Sequence, residues 1–215
     1  VAGCRAMYEL IYSQARDWDP LAESTIRGLH AELTKFDNEA KQPIGEYKKT
    51  VNSVAEVNQL TKEKKIVFKT ADPGLQTNLA MKNLVDWFNQ HYKNSPWPIA
   101  VSCEFVFRFL AIHPFADGNG RVGRGLFLTL LLRSSNPIFS ELGKYMALDR
   151  QIEKNKSEYY AILMRCSDGQ FSEDPSKYKL NYFLNYMLKI LEESLGDIDY
   201  YLGKYRVSLS FTEAE

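Results

Sequence analysis

The sequence predicts a mainly α fold: a helical bundle around a central helix pair, with one small β-hairpin. Three observations carry this. Apolar residues recur at three- and four-residue spacing over most of the chain. Proline, glycine and asparagine interrupt those stretches where helices would start or stop. A single segment, about Tyr47 to Lys69, loses the helical period and turns to β-favouring residues.

The first amphipathic stretch, Val1 to about Ala15, sets Met7, Leu10 and Ile11 on one side. Asp19-Pro20 reads as the next helix start, with Asp capping free N–H groups and Pro suited to the first turn. Ile26, Leu29, Leu33 and Phe36 form its inward stripe, and Pro43 and Gly45 end it. Val51, Val54 and Val57, then Ile66-Val67-Phe68, flank a charged Thr61–Lys65 tip, which predicts an irregular β-hairpin over about 47–70. Asp72-Pro73 restarts helix, with Leu75, Leu79, Leu84, Val85 and Phe88 facing inward. Pro96 and Pro98 open the most apolar helix, Ile99 to Ile112, which is apolar on most of its surface and so central. It delivers His113 at its C-terminal end. A second apolar helix, Arg121 to about Arg133, carries Leu126, Phe127, Leu130 and Leu131, and Asn136-Pro137 stops it. Helices over about Arg150 to Cys166 and Pro175 to Leu195 complete the bundle. Residues 1–203 read as one domain and 204–215 as a C-terminal tail.

At 215 residues, 45% of them hydrophobic, the chain can bury one sizeable core. Lys+Arg and Asp+Glu are equal at 27 each, so no overall field attracts nucleic acid or an acidic membrane, and neither is an expected partner. Any binding of phosphates must therefore be local. Cys4, Cys103 and Cys166 are too scattered for a disulfide framework or a metal site, which fits a reducing, cytoplasmic setting. No apolar run approaches a membrane span. No signal peptide is visible, although the chain opens on Val1 rather than Met.

The run His113-Pro114-Phe115-Ala116-Asp117-Gly118-Asn119-Gly120-Arg121-Val122-Gly123-Arg124 concentrates the chemistry. Gly118 and Gly120 let backbone approach a ligand closely, and Asn119 tolerates the same turn. Helix follows at once, so free N–H groups converge at the positive end of its dipole. Arg121 and Arg124, three apart, project from one face and suit bidentate binding of phosphate oxygens. Asp117 is a hard oxygen ligand of the kind Mg²⁺ takes beside substrate phosphates. His113, whose ordinary pKa is about 6.5, can accept a proton at neutral pH. Taken singly, these are a helix-end histidine, a turn and a solvated arginine pair. A structural turn has no need of all of them together.

This run resembles the signature of Fic domains, His-x-Phe-x-(Asp/Glu)-Gly-Asn-Gly-Arg-x-x-Arg, at every specified position. Val1-Ala2-Gly3 with Met7-Tyr8, Gly45-Glu46-Tyr47-Lys48 and Tyr159-Tyr160 resemble further parts of that fold. The resemblance implies a protein adenylyltransferase using ATP and Mg²⁺. On it, His113 deprotonates a target Ser, Thr or Tyr hydroxyl, and Asp117 holds Mg²⁺. Backbone N–H groups at Gly118, Asn119 and Gly120, with the Asn119 side chain, stabilise the α-phosphate. Arg121 takes the β-phosphate and Arg124 the γ-phosphate, while Tyr159 lines the adenine pocket. The hairpin acts as a flap that holds the target protein as an added strand, with Val67 and Phe68 as clamp candidates.

Many Fic proteins also carry an inhibitory helix, (Ser/Thr)-x-x-x-Glu-(Gly/Asn). Ser24-Thr25-Ile26-Arg27-Gly28 lacks the Glu, so the resemblance places that helix upstream of residue 1 or on another chain. Three questions stay open at this point: homodimerisation, a different nucleotide or AMP removal, and ATP binding without catalysis.

Overall fold

In the computed structural model, residues 2–37, 44–57 and 64–212 are described. Helix α1 (Ala2–Gln14) crosses α2 (Glu23–Thr34) closely because Gly3 puts no side chain between them. A Cβ there would fall 1.8 Å from the Leu33 carbonyl oxygen. The crossing buries Met7, Ile11, Ile26, Leu29 and Leu33. Phe36 lies beyond the helix and is 57% exposed, outside the stripe expected of it. Asp19 does not cap α2, whose N-cap is Ala22. Its carboxylate instead pairs with Lys93 Nζ at 3.0 Å and Arg133 Nη2 at 3.1 Å.

Strands β1 (Ser53–Val57) and β2 (Lys64–Lys69) pair antiparallel. The register shifts after Val54, so Val67 is the extra residue of β2 at an irregularity. Pro43 and the Thr61–Glu63 part of the expected tip lie outside the described residues, as do the side chains of Val54, Val57, Ile66 and Val67. At the far end of β2, Lys69 N–H donates to Gly169 O at 2.9 Å, and Phe171 N–H donates to Lys69 O at 2.8 Å.

Helix α3 (Leu75–Tyr92) buries Thr77, Met81, Leu84, Val85 and Phe88. Leu75 and Leu79, expected inside, are 82% and 53% exposed, because the buried stripe runs through 77 and 81 instead. Thr77 enters the core cheaply: its hydroxyl donates to Asp72 O at 2.6 Å.

Helices α4 (Pro98–Ile112) and α5 (Asn119–Leu132) form the central pair. Pro98 occupies the first turn of α4, where the missing N–H costs nothing. Phe105, Phe107 and Phe109 are all buried, and Phe105 meets Phe88 with ring centroids 4.7 Å apart. Helix α5 begins two residues before its expected start. Asn136-Pro137 does end that region, but it also opens a short helix α6 (Pro137–Leu142), with Asn136 Oδ1 accepting from Ile138 N–H at 2.9 Å.

The stretch expected as one helix from Arg150 to Cys166 is two, α7 (Leu148–Lys154) and α8 (Lys156–Ser167), broken at Asn155. Pro175–Lys177 is a 3-10 turn, and helix α9 (Leu180–Thr212) starts after it. Helix α9 continues past Leu195 into the stretch expected as a tail. It packs on α4, α7 and α8. Among the described residues, no helix is long and apolar enough to cross a membrane.

Candidate active site

The link between α4 and α5 is built from its first carbonyl outward. His113 ends α4 in the left-handed region, φ 54° and ψ 58°, which is uncommon for a residue with a Cβ. Its N–H still donates to Phe109 O at 2.9 Å. Its ring Nδ1 lies 3.2 Å from Leu110 O, so Nδ1 carries the proton and Nε2 is left to accept one. Phe115 turns fully inward and stacks on His30, with ring centroids 3.9 Å apart and planes 3° from parallel. His30 Nδ1 in turn accepts from Gly45 N–H at 3.2 Å.

Gly118 caps α5 at φ 80°, and a Cβ there would sit 2.9 Å from Leu33 Cδ2. Both facts call for glycine. No side chain caps this helix start, so the first-turn N–H groups of Asn119, Gly120 and Arg121 have no intrahelical acceptor. The Asn119 carboxamide is engaged elsewhere: Oδ1 accepts from Phe115 N–H at 2.8 Å, and Nδ2 donates to Phe115 O at 2.7 Å. The side chain expected to face a phosphate is thus held by the turn, and Asn119 still lines the cavity described below. Closing the turn engages Oδ1 and one of the two Nδ2 hydrogens, and the backbone N–H stays open at the helix start.

His113, Asp117, Gly118, Asn119, Gly120, Arg121, Arg124, Tyr159 and Phe68 all line one cavity of about 300 Å³. The side chain of Val67, the other clamp candidate, lies outside the described residues. Phe68 is buried at the cavity wall. Tyr159 is 5% exposed, with its ring among those of Tyr160, Phe183 and Tyr186. Tyr160, on the same cavity, is the more open of the pair at 41%. Glu153 and Lys156 at the break between α7 and α8 also line it, as do Leu163 and Met164 of α8. Sequence reasoning passed over these four. Their helical spacing beside Tyr159-Tyr160 was the available signal.

Two ion pairs hold the arginines. Arg121 Nη2 lies 2.9 Å from Asp117 Oδ2, on a carboxylate that is 84% exposed. Arg124 Nε bonds Asp149 Oδ1, and the other Asp149 oxygen accepts from Tyr8 OH. Arg124 Nη1 lies beside Gly120, 3.4 Å from where a Cβ would stand, so the fork reaches toward the helix start. One exposed carboxylate beside an open helix start is of the kind a divalent ion takes when it shares its ligands with substrate and water. Among the described residues, no three His, Cys, Asp or Glu side chains converge on a metal.

Burial pushes the His113 pKa down to about 4, with buried Lys48 adding to the fall; the Leu110 carbonyl and Asp117 act the other way. Lys48 itself, 2% exposed, is brought down to about 8 by burial, with Asp72 opposing. The sequence marked Lys48 only within the Gly45–Lys48 run that resembles part of the family fold, not as a neighbour of His113.

The Fic/DOC family model matches residues 20–131. Over 89 residues the chain is 33% identical to protein adenylyltransferase Fic of Drosophila willistoni, a match covering 41% of this chain and 16% of that protein. Among solved structures, a Fic domain containing signaling protein from Bacteroides thetaiotaomicron VPI-5482 is similar with a TM-score of 0.66 and 33% identity, over 90% of this chain and 68% of that one. Fic-1 from C. elegans shares the fold, with a TM-score of 0.64 at 19% identity over 96% of this chain and 51% of that one.

Proposed function

The chain belongs to the Fic/DOC family, and on that premise we propose that it transfers AMP from ATP to a Ser, Thr or Tyr hydroxyl of a target protein. The hydroxyl oxygen attacks the α-phosphorus, the bond from that phosphorus to the β-phosphate oxygen breaks, and pyrophosphate leaves. The hydroxyl proton passes to His113 Nε2. The observation that carries this reading is the position of His113: with Nδ1 bound to Leu110 O, it faces the same cavity as the open start of α5 and both arginines.

Backbone N–H groups at Asn119, Gly120 and Arg121, open at the start of α5, would stabilise the charge that grows on the α-phosphate. One such preorganised donor is typically worth on the order of 10²–10³ in rate. Arg121 and Arg124 would take the β- and γ-phosphates, Arg121 exchanging its Asp117 partner for the nucleotide. Asp117 would then hold Mg²⁺ with the phosphates, and the bound ion supplies charge neutralisation for the leaving pyrophosphate. Tyr159 and Tyr160 supply an aromatic wall for the adenine. The hairpin, whose Phe68 closes one side of the cavity, is the place for the target segment.

ATP labelled at the α-position should transfer label to protein, and ATP labelled at the γ-position should not. His113→Ala should cut transfer by about 10²–10⁴, the usual contribution of a general base. Retention of γ-label, or an undiminished rate in His113→Ala, overturns the assignment.

A further inference from the structure

Three side chains at the foot of the hairpin hold the main chain that carries His113. The Lys48 ammonium donates to Asn52 Oδ1 at 2.7 Å, to Thr70 Oγ1 at 3.0 Å and to Ile112 O at 3.1 Å. That uses all three of its N–H bonds. Its backbone N–H donates to Pro114 O at 2.7 Å. The Asn52 amide donates to His113 O at 3.2 Å and Phe115 O at 2.7 Å. The carbonyls of four successive residues, 112 to 115, are therefore each bonded by Lys48 or Asn52. The Thr70 hydroxyl closes the set against Asn52 Oδ1 at 2.7 Å.

Two features of this cluster need a reason beyond packing. None of the three acceptors around the buried ammonium is a carboxylate, and a cation placed so is a costly way to fill space. Its charge does suit the C-terminal end of α4, where carbonyls lack intrahelical donors. Among the residues it supports is His113, one of two non-glycine residues with left-handed backbone among the described residues. Such a conformation persists where the surroundings over-determine it. The cluster also sits at a junction: Asn52 immediately precedes β1, and Thr70 immediately follows β2.

We propose that Lys48, Asn52 and Thr70 form a clamp that sets the position of His113 relative to the hairpin, making Lys48 a positioning residue for the transfer step. A target segment laid on the strands is thereby held in register with the base. The proposal rests on the reading of His113 given above. It differs from a purely structural role, in which losing the clamp would lower stability and leave turnover of the folded molecules intact.

The test compares Lys48→Met and Thr70→Val with Thr70→Ser, which keeps the hydroxyl. In each folded variant, kcat for α-label transfer and Kd for ATP by calorimetry are measured. Lys48→Met and Thr70→Val should lose on the order of 10- to 100-fold in kcat, the scale of a displaced catalytic group, with Kd for ATP within about twofold. Thr70→Ser should restore most of the rate lost in Thr70→Val. Unchanged kcat in the folded variants, whatever their Tm, overturns the clamp. If Lys48→Met does not fold, the Thr70 pair decides alone. If the wild-type chain transfers no label, the proposed reaction fails, and amide hydrogen exchange judges the clamp by itself. Faster exchange confined to residues 113–119 in Thr70→Val supports it, and uniform or unchanged exchange sinks it.

Discussion

Neutral His113 should persist to unusually low pH. Burial lowers its pKa from an ordinary 6.5 to about 4. That gap corresponds to about 3 kcal/mol in favour of the uncharged ring. At pH 5 roughly nine-tenths of His113 is then neutral, against roughly one part in thirty for an unperturbed histidine. The folded-state value lies below the unfolded one, so the associated stability is complete above about pH 6.5 and is lost as pH falls through about 4. The chain has three histidines, so NMR of ring-labelled protein resolves each, with His113→Asn supplying the assignment. A His113 midpoint near 4 is expected. A midpoint between about 6 and 7, the ordinary range, refutes the burial argument. A non-hydrolysable ATP analogue should raise the midpoint, since phosphate charge beside the ring favours its protonated form.

Two substitutions probe the rest of the site. Asp149→Asn weakens the hold on Arg124 Nε and on Tyr8, so KM for ATP should rise about fivefold with kcat little changed, consistent with a coupling near 1 kcal/mol for a half-exposed pair. Steady-state kinetics over ATP concentration checks this, and a lower KM would mean Asp149 competes with phosphate instead. Gly118→Ala meets both a φ of 80° and Leu33 Cδ2, so it should cost about 1–3 kcal/mol, read as a fall in Tm, and should also slow transfer by tilting the start of α5.

What the sequence disclosed divides by range. His113 to Arg124 were legible because the residues are contiguous, and their order already sets the geometry of a helix end, a turn and a helix start. Lys48, Asn52 and Thr70 looked like ordinary polar residues around a hairpin, because the carbonyls they reach belong to residues 112 to 115. Asn119 shows the same limit inside the motif: its residue type suits a phosphate or a turn equally, and the Phe115 main chain claims it. Leu75 and Leu79 fit a helical stripe as well as Thr77 and Met81 do, and the hydrogen bond that makes Thr77 acceptable inside comes from Asp72 across the helix start. Asp19 had the chemistry of a cap, but Lys93 and Arg133 draw it away. Helix α9 overran its expected end because no proline stops it, and Gly196 and Gly203 alone do not.

The contact between Lys69 and residues 169–171 limits what the hairpin can accept. Both main-chain hydrogen-bonding groups of Lys69 are occupied on that side by Gly169 and Phe171. A peptide adding to the same edge of β2 must therefore stop short of Lys69, which fixes one end of its alignment. A slip by one residue would exchange the faces its side chains present. If a target strand binds there as proposed, the bridge would act as an end-stop, selecting which residue is offered to the cavity without reading that strand's sequence.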